Sequence, residues 1–426
     1  MGGHGAFAAP VTLRSALNGF GLRMRLVREY CLNAKGVLAA VAMACLLVPL
    51  ASGETAEQNA APDPDETAQR ASPWLLTPLL SVDPKLGTNL GGLAAYLHRF
   101  DEASPVSMAG LAATYSNTDS LVGALFGDLY WGKDHHRLVT GLVYGDINNE
   151  YDDFLGTGRP VETVDQLQSI FLRYQYRIWQ NWFLGAQFVR TNYAIDFPPA
   201  QTLLDQQIGY MGFDSTGLGL VLARDTRNDV RNPDRGSYFL LDTVHYQGGE
   251  ADSGTTDQDG ILDNLLEDNS VLNRDGEFDV LRAAYTLYSP LGQWFKGVGV
   301  PEAVLAVRAS GRWTKDAPVS GFSSVLVPGY TRGNYLGENY VDLQFDLRVP
   351  ISQRWGWVLF GGVGCLHGNA LAGEEASSGC GSNTFPGLGT GISWLIKPES
   401  GVVVRAEVAK GTGDNSAVYL RFGHPF

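Results

Sequence analysis

The chain has 426 residues, 18% of them charged, and a formal net charge of −14, an acidic balance that argues against nucleic acid as a partner. It contains 52 Gly, 19 Phe, 18 Tyr and 9 Trp but 4 Cys, too few cysteines for a disulfide scaffold or a cysteine-built metal domain. Mean hydropathy is −0.07, and no run beyond the N-terminal region is long and apolar enough to span a membrane as a helix, which takes about 20 residues.

The first element is a targeting segment. Met24 opens a short basic region with Arg25, Arg28 and Lys35, residues 37–50 form an apolar run, and Ala51-Ser52-Gly53 supplies the small residues of a cleavage site. That order is the layout of a secretory signal peptide. Residues 1–23 precede its natural start. Cys45 after Ala44 hints at a lipoprotein box, but the apolar run continues past it. Residues 1–53 therefore read as an extension plus signal, and 54–73, rich in Pro, Ala, Asp and Glu, as a flexible linker.

From residue 74 onward the chain reads as short alternating strands with turns between them. Strands are expected near 75–83, 89–100, 106–117, 120–131, 136–147, 166–179, 182–194, 216–226, 237–247, 278–289, 303–313, 340–351, 355–366, 384–396, 401–410 and 417–426. Leu172, Tyr174, Tyr176 and Ile178 alternate with Arg173, Gln175 and Arg177. Val341, Leu343, Phe345, Leu347 and Val349 alternate with Asp342, Gln344, Asp346 and Arg348. Successive side chains of a strand point to opposite faces, so each strand carries one apolar and one charged face. A soluble sandwich places the charges in water; a membrane barrel places the apolar face in lipid and the charges in its lumen. Long connections (147–165, 195–215, 248–276, 314–338) fall on one side and short turns (180–181, 227–236, 352–354, 398–400) on the other. That sidedness and the even strand count favour a 16-stranded antiparallel outer-membrane barrel over residues 74–426.

From residue 216 the sequence resembles the BamA/TamA-like superfamily of outer-membrane assembly barrels, the bacterial surface antigen family. Three stretches carry the likeness: ARDTRNDVRNPDRGSYF at 223–239, VPGYTRGNYLGENY at 327–340 with the strand behind it, and the ending YLRFGHPF. The chain looks like a branch without POTRA domains. The resemblance implies a sixth outer loop folded into the lumen, in which Val327, Pro328, Gly329, Tyr330, Arg332 and Gly333 form the loop motif. Pro328 stands where the family has Arg. On the wall, Gly362 stands where it has the partner Asp. Arg332 with Asp346 is the expected replacement pair, and Asp342, Asp346, Arg348 and Gly362 are expected to line the lumen. Leu420, Phe422 and Phe426 match the family's insertion signal.

The implied role is protein insertion or translocation, or lipid transport, in the outer membrane of a Gram-negative bacterium. The implied partners are outer-membrane lipid and lipopolysaccharide, the machinery that inserts barrels, client proteins and a second copy of the chain. The alternatives are a passive porin-like channel and a structural surface antigen. No Gly-x-Ser-x-Gly and no Ser paired with a His motif is present, so no catalytic residue is assigned. Asp257-x-Asp259-Gly260 hints at a calcium loop, but Thr255 and Leu266 occupy its first and last ligand positions, so no metal and no cofactor is expected. In an oxidising compartment Cys365 and Cys380 are expected to form a loop-stapling disulfide.

Overall fold

The computed structural model describes residues 72–83, 87–151, 161–196, 210–248, 277–293, 303–318, 321–330, 335–370, 380, 383–413 and 415–426. The signal peptide, nearly all of the linker and the acidic 249–276 segment lie outside them. The strands are β1 (Trp74–Asp83), β2 (Gly87–His98), β3 (Ser107–Ser116), β4 (Leu121–Trp131), β5 (His136–Tyr151), β6 (Val161–Trp179), β7 (Trp182–Asp196), β8 (Tyr210–Asp225) and β9 (Gly236–Gly248). They continue with β10 (Glu277–Pro290), β11 (Val304–Lys315), β12 (Ser323–Ser324), β13 (Leu336–Pro350), β14 (Trp355–Ala370), β15 (Thr384–Lys397), β16 (Val402–Lys410) and β17 (Ser416–Phe422). No helix among the described residues is long and apolar enough to cross a membrane.

Each strand pairs antiparallel with its chain neighbour, and β17 returns to pair with β1. The two-residue β12 only flanks β13, while β11 pairs with β13 directly. Sixteen strands thus make the nearly closed barrel and the seventeenth is an addition inside a loop. Closure removes the free sheet edges that hydrocarbon cannot hydrate. The seam is thin. β1 pairs with β2 along its full length from Trp74 to Asp83, but with β17 only at Ser81↔Tyr419 and Val82↔Val418. Below these pairs, Pro78 of β1 has no N–H to offer. β17 stops at Phe422, and Gly423 takes a left-handed φ of 81° while its N–H bonds the Val403 carbonyl of β16.

The alternation seen in the sequence becomes two walls. Leu111, Leu125, Leu142, Ile170, Leu172 and Leu220 project outward and are exposed. Arg137, Asp225, Asp242, Asp346, Arg405 and Glu407 point the other way and are buried. At the end of the barrel where β1 starts, aromatic residues pair across strands on the outer wall. Trp74 meets Tyr96 edge-on, Trp131 stacks on His136, and Trp355 stacks on Trp394. His136 also bonds the Tyr174 hydroxyl at 2.7 Å, and Trp179 pairs with Trp182. Such an aromatic ring marks the height at which a barrel crosses a membrane surface.

Two expectations need correction. The sidedness of the connections is graded rather than uniform. Residues 84–86, 117–120 and 411–415 are short although they lie at the long-loop end, and 226–235 and 291–303 are long at the opposite end. Second, the last strand does not run to residue 426. Phe426 therefore does not share the outward face of Val418, Leu420 and Phe422; it sits beneath the Arg308 guanidinium, 6.0 Å away.

The seam register is testable by crosslinking. Opposed residues of an antiparallel pair have Cβ atoms about 4.5–5.5 Å apart. With Cys365 and Cys380 replaced by Ser, Val82→Cys with Val418→Cys will crosslink under mild oxidation, seen as a mobility shift on non-reducing gels. Val82→Cys with Leu420→Cys will not.

Candidate functional site

The candidate site is the barrel interior, where three groups of charged residues meet and two of them hold chain segments against the wall. The first is centred on Asp346. Arg405 of β16 donates to both of its oxygens, Nη2 to Oδ1 at 2.7 Å and Nη1 to Oδ2 at 3.0 Å, and Arg348 Nε donates to Oδ2 at 2.6 Å. Asp346 and Arg405 are both fully buried, at 0% exposure. Arg405 Nε lies 2.5 Å from Glu407 Oε1, and Arg421 of β17 lies 3.2 Å from Oε2. The pair Asp346–Arg405 reaches over β14 and β15. Glycines at alternate positions of β15 leave the room: a Cβ on Gly389 would meet the Phe360 ring at 2.4 Å, and one on Gly391 would meet Glu407 Cγ at 3.0 Å.

From this cluster, bonds extend to two segments outside the strands. Arg348 donates to the Pro233 carbonyl at 3.0 Å and to the Phe426 carbonyl at 3.4 Å. His424 Nδ1 is 3.1 Å from Arg405 Nη1, and its Nε2 is 2.9 Å from Asn232 Oδ1. A guanidinium only donates, so Nδ1 accepts, Nε2–H donates to Asn232, and the ring is neutral. Burial, reinforced by Arg348, holds the His424 imidazole well below its ordinary value.

The second group anchors the other side of the 226–235 connection. Asp225 accepts from Arg137 at 2.7 Å and from Arg227 at 2.9 Å; Asp134 accepts from Arg137 and Arg177. Arg231 approaches Asp128 of β4 at 3.9 Å. Gly236, at φ 99°, permits the return into β9, since a Cβ there would strike the Thr226 carbonyl at 2.2 Å. The 226–235 connection thus leaves β8 and touches β4, β13 and the 423–426 tail, so it lies across that end of the interior. A third group sits higher: Gln187 and Arg282 converge on Asp242 at 2.8 and 2.7 Å, with Arg173 at 3.6 Å.

At the long-loop end, the described part of the β11–β13 loop, residues 321–330, packs on β13 to β17. Arg312 holds it through Ser323 Oγ at 2.8 Å and the Gly321 carbonyl at 2.7 Å. Val325, Val327 and Tyr330 are buried with Tyr340, Leu366 and Phe385. Tyr330 donates its hydroxyl to the Pro386 carbonyl at 2.8 Å and accepts from the Thr412 N–H at 3.0 Å. Gly329, at φ 95°, donates its N–H to the Tyr419 hydroxyl at 3.1 Å. The Pro328 carbonyl lies where a Cβ on Gly387 would be, 2.1 Å away.

The sequence-assigned residues fall as follows. Asp342, Asp346 and Arg348 are buried on the inner face, and Asp342 accepts from Ser310 and Gln344. Gly362 lies under Gln344, whose Cγ is 2.7 Å from where its Cβ would be. Pro328, Gly329 and Tyr330 come together on β15 to β17. Arg332 and Gly333 lie outside the described residues; both oxygens of Asp346, the partner read for Arg332, are occupied by Arg348 and Arg405. Leu420 and Phe422 are on β17, beside the seam. Cys365 and Cys380 are disulfide-bonded. His367 lies close enough to both sulfurs to complete a three-ligand cluster, but the disulfide uses both thiols. The sequence reading missed Arg405 as the partner of Asp346, and missed the tail and the 226–235 connection as interior elements. The Gly387-x-Gly389-x-Gly391 repeat, which places three glycines on one face ahead of Arg405, was the available signal.

An aromatic ring around a closed antiparallel wall, with charges inside, is the architecture of outer-membrane β-barrels. No family model and no curated protein matches this sequence. Among solved structures, CdiB from Escherichia coli is similar at 14% identity and TM-score 0.52; the match covers 84% of this chain and 63% of CdiB, so the chain spans less than two thirds of that protein. BamA from Haemophilus ducreyi lacking POTRA domains 1-3 is similar at 12% identity and TM-score 0.49, over 83% of this chain and 70% of that one. OccK10 (OpdN) from Pseudomonas aeruginosa gives 9% identity and TM-score 0.30, over 82% and 97%. At such identities the likeness to CdiB is one of fold.

Two tests follow from the ion cluster. Asp346→Ala leaves the buried Arg348 without its counter-charge and Arg405 with Glu407 alone, and removing one partner of a buried pair costs about 3–5 kcal/mol. A matching drop in the urea unfolding midpoint is expected, smaller when Arg405→Leu is added. Because the bound His424 is neutral and its folded value is depressed, its contribution is complete above the unfolded value of about 6.5 and declines as pH falls below it. The urea midpoint should fall between about pH 7.5 and about pH 5.5, and His424→Gln should flatten that step.

Proposed function

We propose that this chain is an outer-membrane barrel that inserts or translocates proteins, or moves lipid, by rearranging non-covalent contacts and without covalent chemistry. In this reading the 226–235 end faces the periplasm and the β11–β13 loop acts as an inward plug from the outer side. The observation that carries it is the combination of a two-pair seam with a connection fastened across one end of the barrel and a loop packed on β13 to β17 at the other. A barrel built for steady diffusion needs an open lumen and gains nothing from a weak seam. A translocating barrel needs the lumen sealed at rest and one strand boundary that opens at low cost. The sequence likeness to assembly barrels points the same way. Client proteins, the insertion machinery that receives the Leu420 and Phe422 strand, surrounding lipopolysaccharide and a second copy of the chain are the partners this role would use.

Planar-bilayer recording separates this from a passive channel. The intact protein should conduct little, and deletion of residues 321–335 should raise conductance by an order of magnitude or more. Steady large conductance in the intact protein would sink the plugged-barrel reading. Envelope pull-down, with Val82 and Val418 crosslinked as cysteines, should then lose any client that the uncrosslinked barrel captures.

A further inference from the structure

The three groups of interior ions differ in how well their charges balance. In the first, Arg348, Arg405 and Arg421 share Asp346 and Glu407. In the second, Arg137, Arg177 and Arg227 share Asp134 and Asp225. The third is poorer. Arg173 and Arg282 have Asp242 alone, at 3.6 and 2.7 Å. Arg312 makes no ion pair among the described residues, and its bonds go to neutral oxygens, Ser323 Oγ and the Gly321 carbonyl. Yet the register sets Arg282 of β10 directly opposite Arg312 of β11. Asp242 and Tyr340 flank them in the same cross-strand row and are buried, so the row faces inward. Like charges in directly opposed positions repel, and a guanidinium cannot shed its proton to escape. Three arginines against one carboxylate leave this part of the wall with an excess of two positive charges.

The surroundings leave room for an anion. Although it points inward, the Arg282 side chain keeps 36% exposure, so it meets water inside the barrel. The opposed inward pair immediately below is Ala284 and Ser310, small side chains that leave space under the two guanidinium groups. Asp342, beside Ser310 in that lower row, accepts from Ser310 and Gln344 and makes no ion pair among the described residues. The two bonds of Arg312 leave most of its N–H donors free. Opposed side chains start about 5 Å apart at their Cβ atoms, and a phosphate can accept from two guanidinium forks at once. A phosphate monoester carries nearly two negative charges at neutral pH, which matches the excess; a carboxylate carries one. We propose that the Arg282–Arg312 pair, with Arg173 adding to its field, is a binding site for a phosphate monoester. The group can arrive on a small solute or on a lipid. The site requires water inside the barrel and is independent of whether the barrel translocates anything.

Isothermal titration of the full chain in a non-ionic detergent, with ionic strength held constant by chloride, tests it. The probes are glycerol 3-phosphate, dihexanoyl phosphatidic acid and acetate. At least one of the two phosphate monoesters should bind tenfold or more tightly than acetate, and the tighter of them assigns the source, solute or lipid. Arg282→Gln and Arg312→Gln should each weaken that binding at least tenfold, and Arg282→Lys, which keeps the charge, should weaken it less than Arg282→Gln does. Arg308→Gln, lower on the same inward face of β11 and beside the Phe426 ring, should change it less than twofold. Equal loss in the Arg282, Arg308 and Arg312 variants overturns the proposal, because binding would then follow total charge alone. Equal binding of acetate and both phosphates overturns it too, as does binding that appears only after Asp257→Asn and Asp259→Asn, since the chain would then supply its own anion. Arg282→Gln leaves Gln187 and Arg173 on Asp242, and heat-modifiable migration confirms that each variant folds.

Discussion

The wall of this barrel meets one constraint that outer-membrane-type folds share: in hydrocarbon a backbone amide has no water to fall back on. Fifteen of the sixteen strand boundaries satisfy that constraint along most of their length, because the strands are joined in chain order and each zips against the last. The sixteenth joins the two most distant parts of the wall, and it is here that Pro78, the early end of β17 and the left-handed Gly423 reduce the pairing to two residue pairs. The chain compensates by tying β17 from inside. Tyr419, one of the two seam residues, is bonded through its hydroxyl to Gly329, and Arg421 is held by Glu407. β17 is thus positioned by the interior as much as by its neighbour on the far side of the seam.

That interior is expensive to build. A charge removed from water costs several kcal/mol unless paired and bonded, and here four of the described interior carboxylates are each shared between two cations. Asp346, Asp225, Asp134 and Glu407 each bridge two arginines. Because the bridging groups come from different strands, the network is satisfied only when the wall has its full curvature. It acts as a check on register: a slip of one residue on β13 would turn Asp346 to the outer face and leave Arg405 buried with Glu407 as its one counter-charge.

The sequence disclosed the wall far better than what fills it. Period-two alternation is a local property, and it showed both faces of β6 and β13 correctly because neighbouring residues alone determine it. The partner of Asp346 is 59 positions away and was not legible, since any inward arginine was a candidate until curvature decided. The 423–426 tail was read as strand because Phe422 and Phe426 fit the same alternation; what ends the strand is the backbone at Gly423, which alternation does not register. In sequence the 226–235 connection is only a turn. The work of Asp225 and Arg227 in rooting it against Arg137 appears only in three dimensions.

That connection has a mechanical consequence. A thin cylindrical sheet resists stretching but flattens easily, because rolling one strand against the next strains few hydrogen bonds. A tie across the bore changes this. The 226–235 segment is rooted at β8 and β9 and fastened to β4, to β13 and to the tail behind β17, points at roughly even intervals around the strand order. It works as a set of spokes at one rim. The cross-section there keeps its shape and size, while at the opposite rim the described residues supply a loop packed on one side of the wall, β13 to β17, and no such set of spokes. Any change in bore is therefore a taper, hinged at the braced end and widest where the loops are.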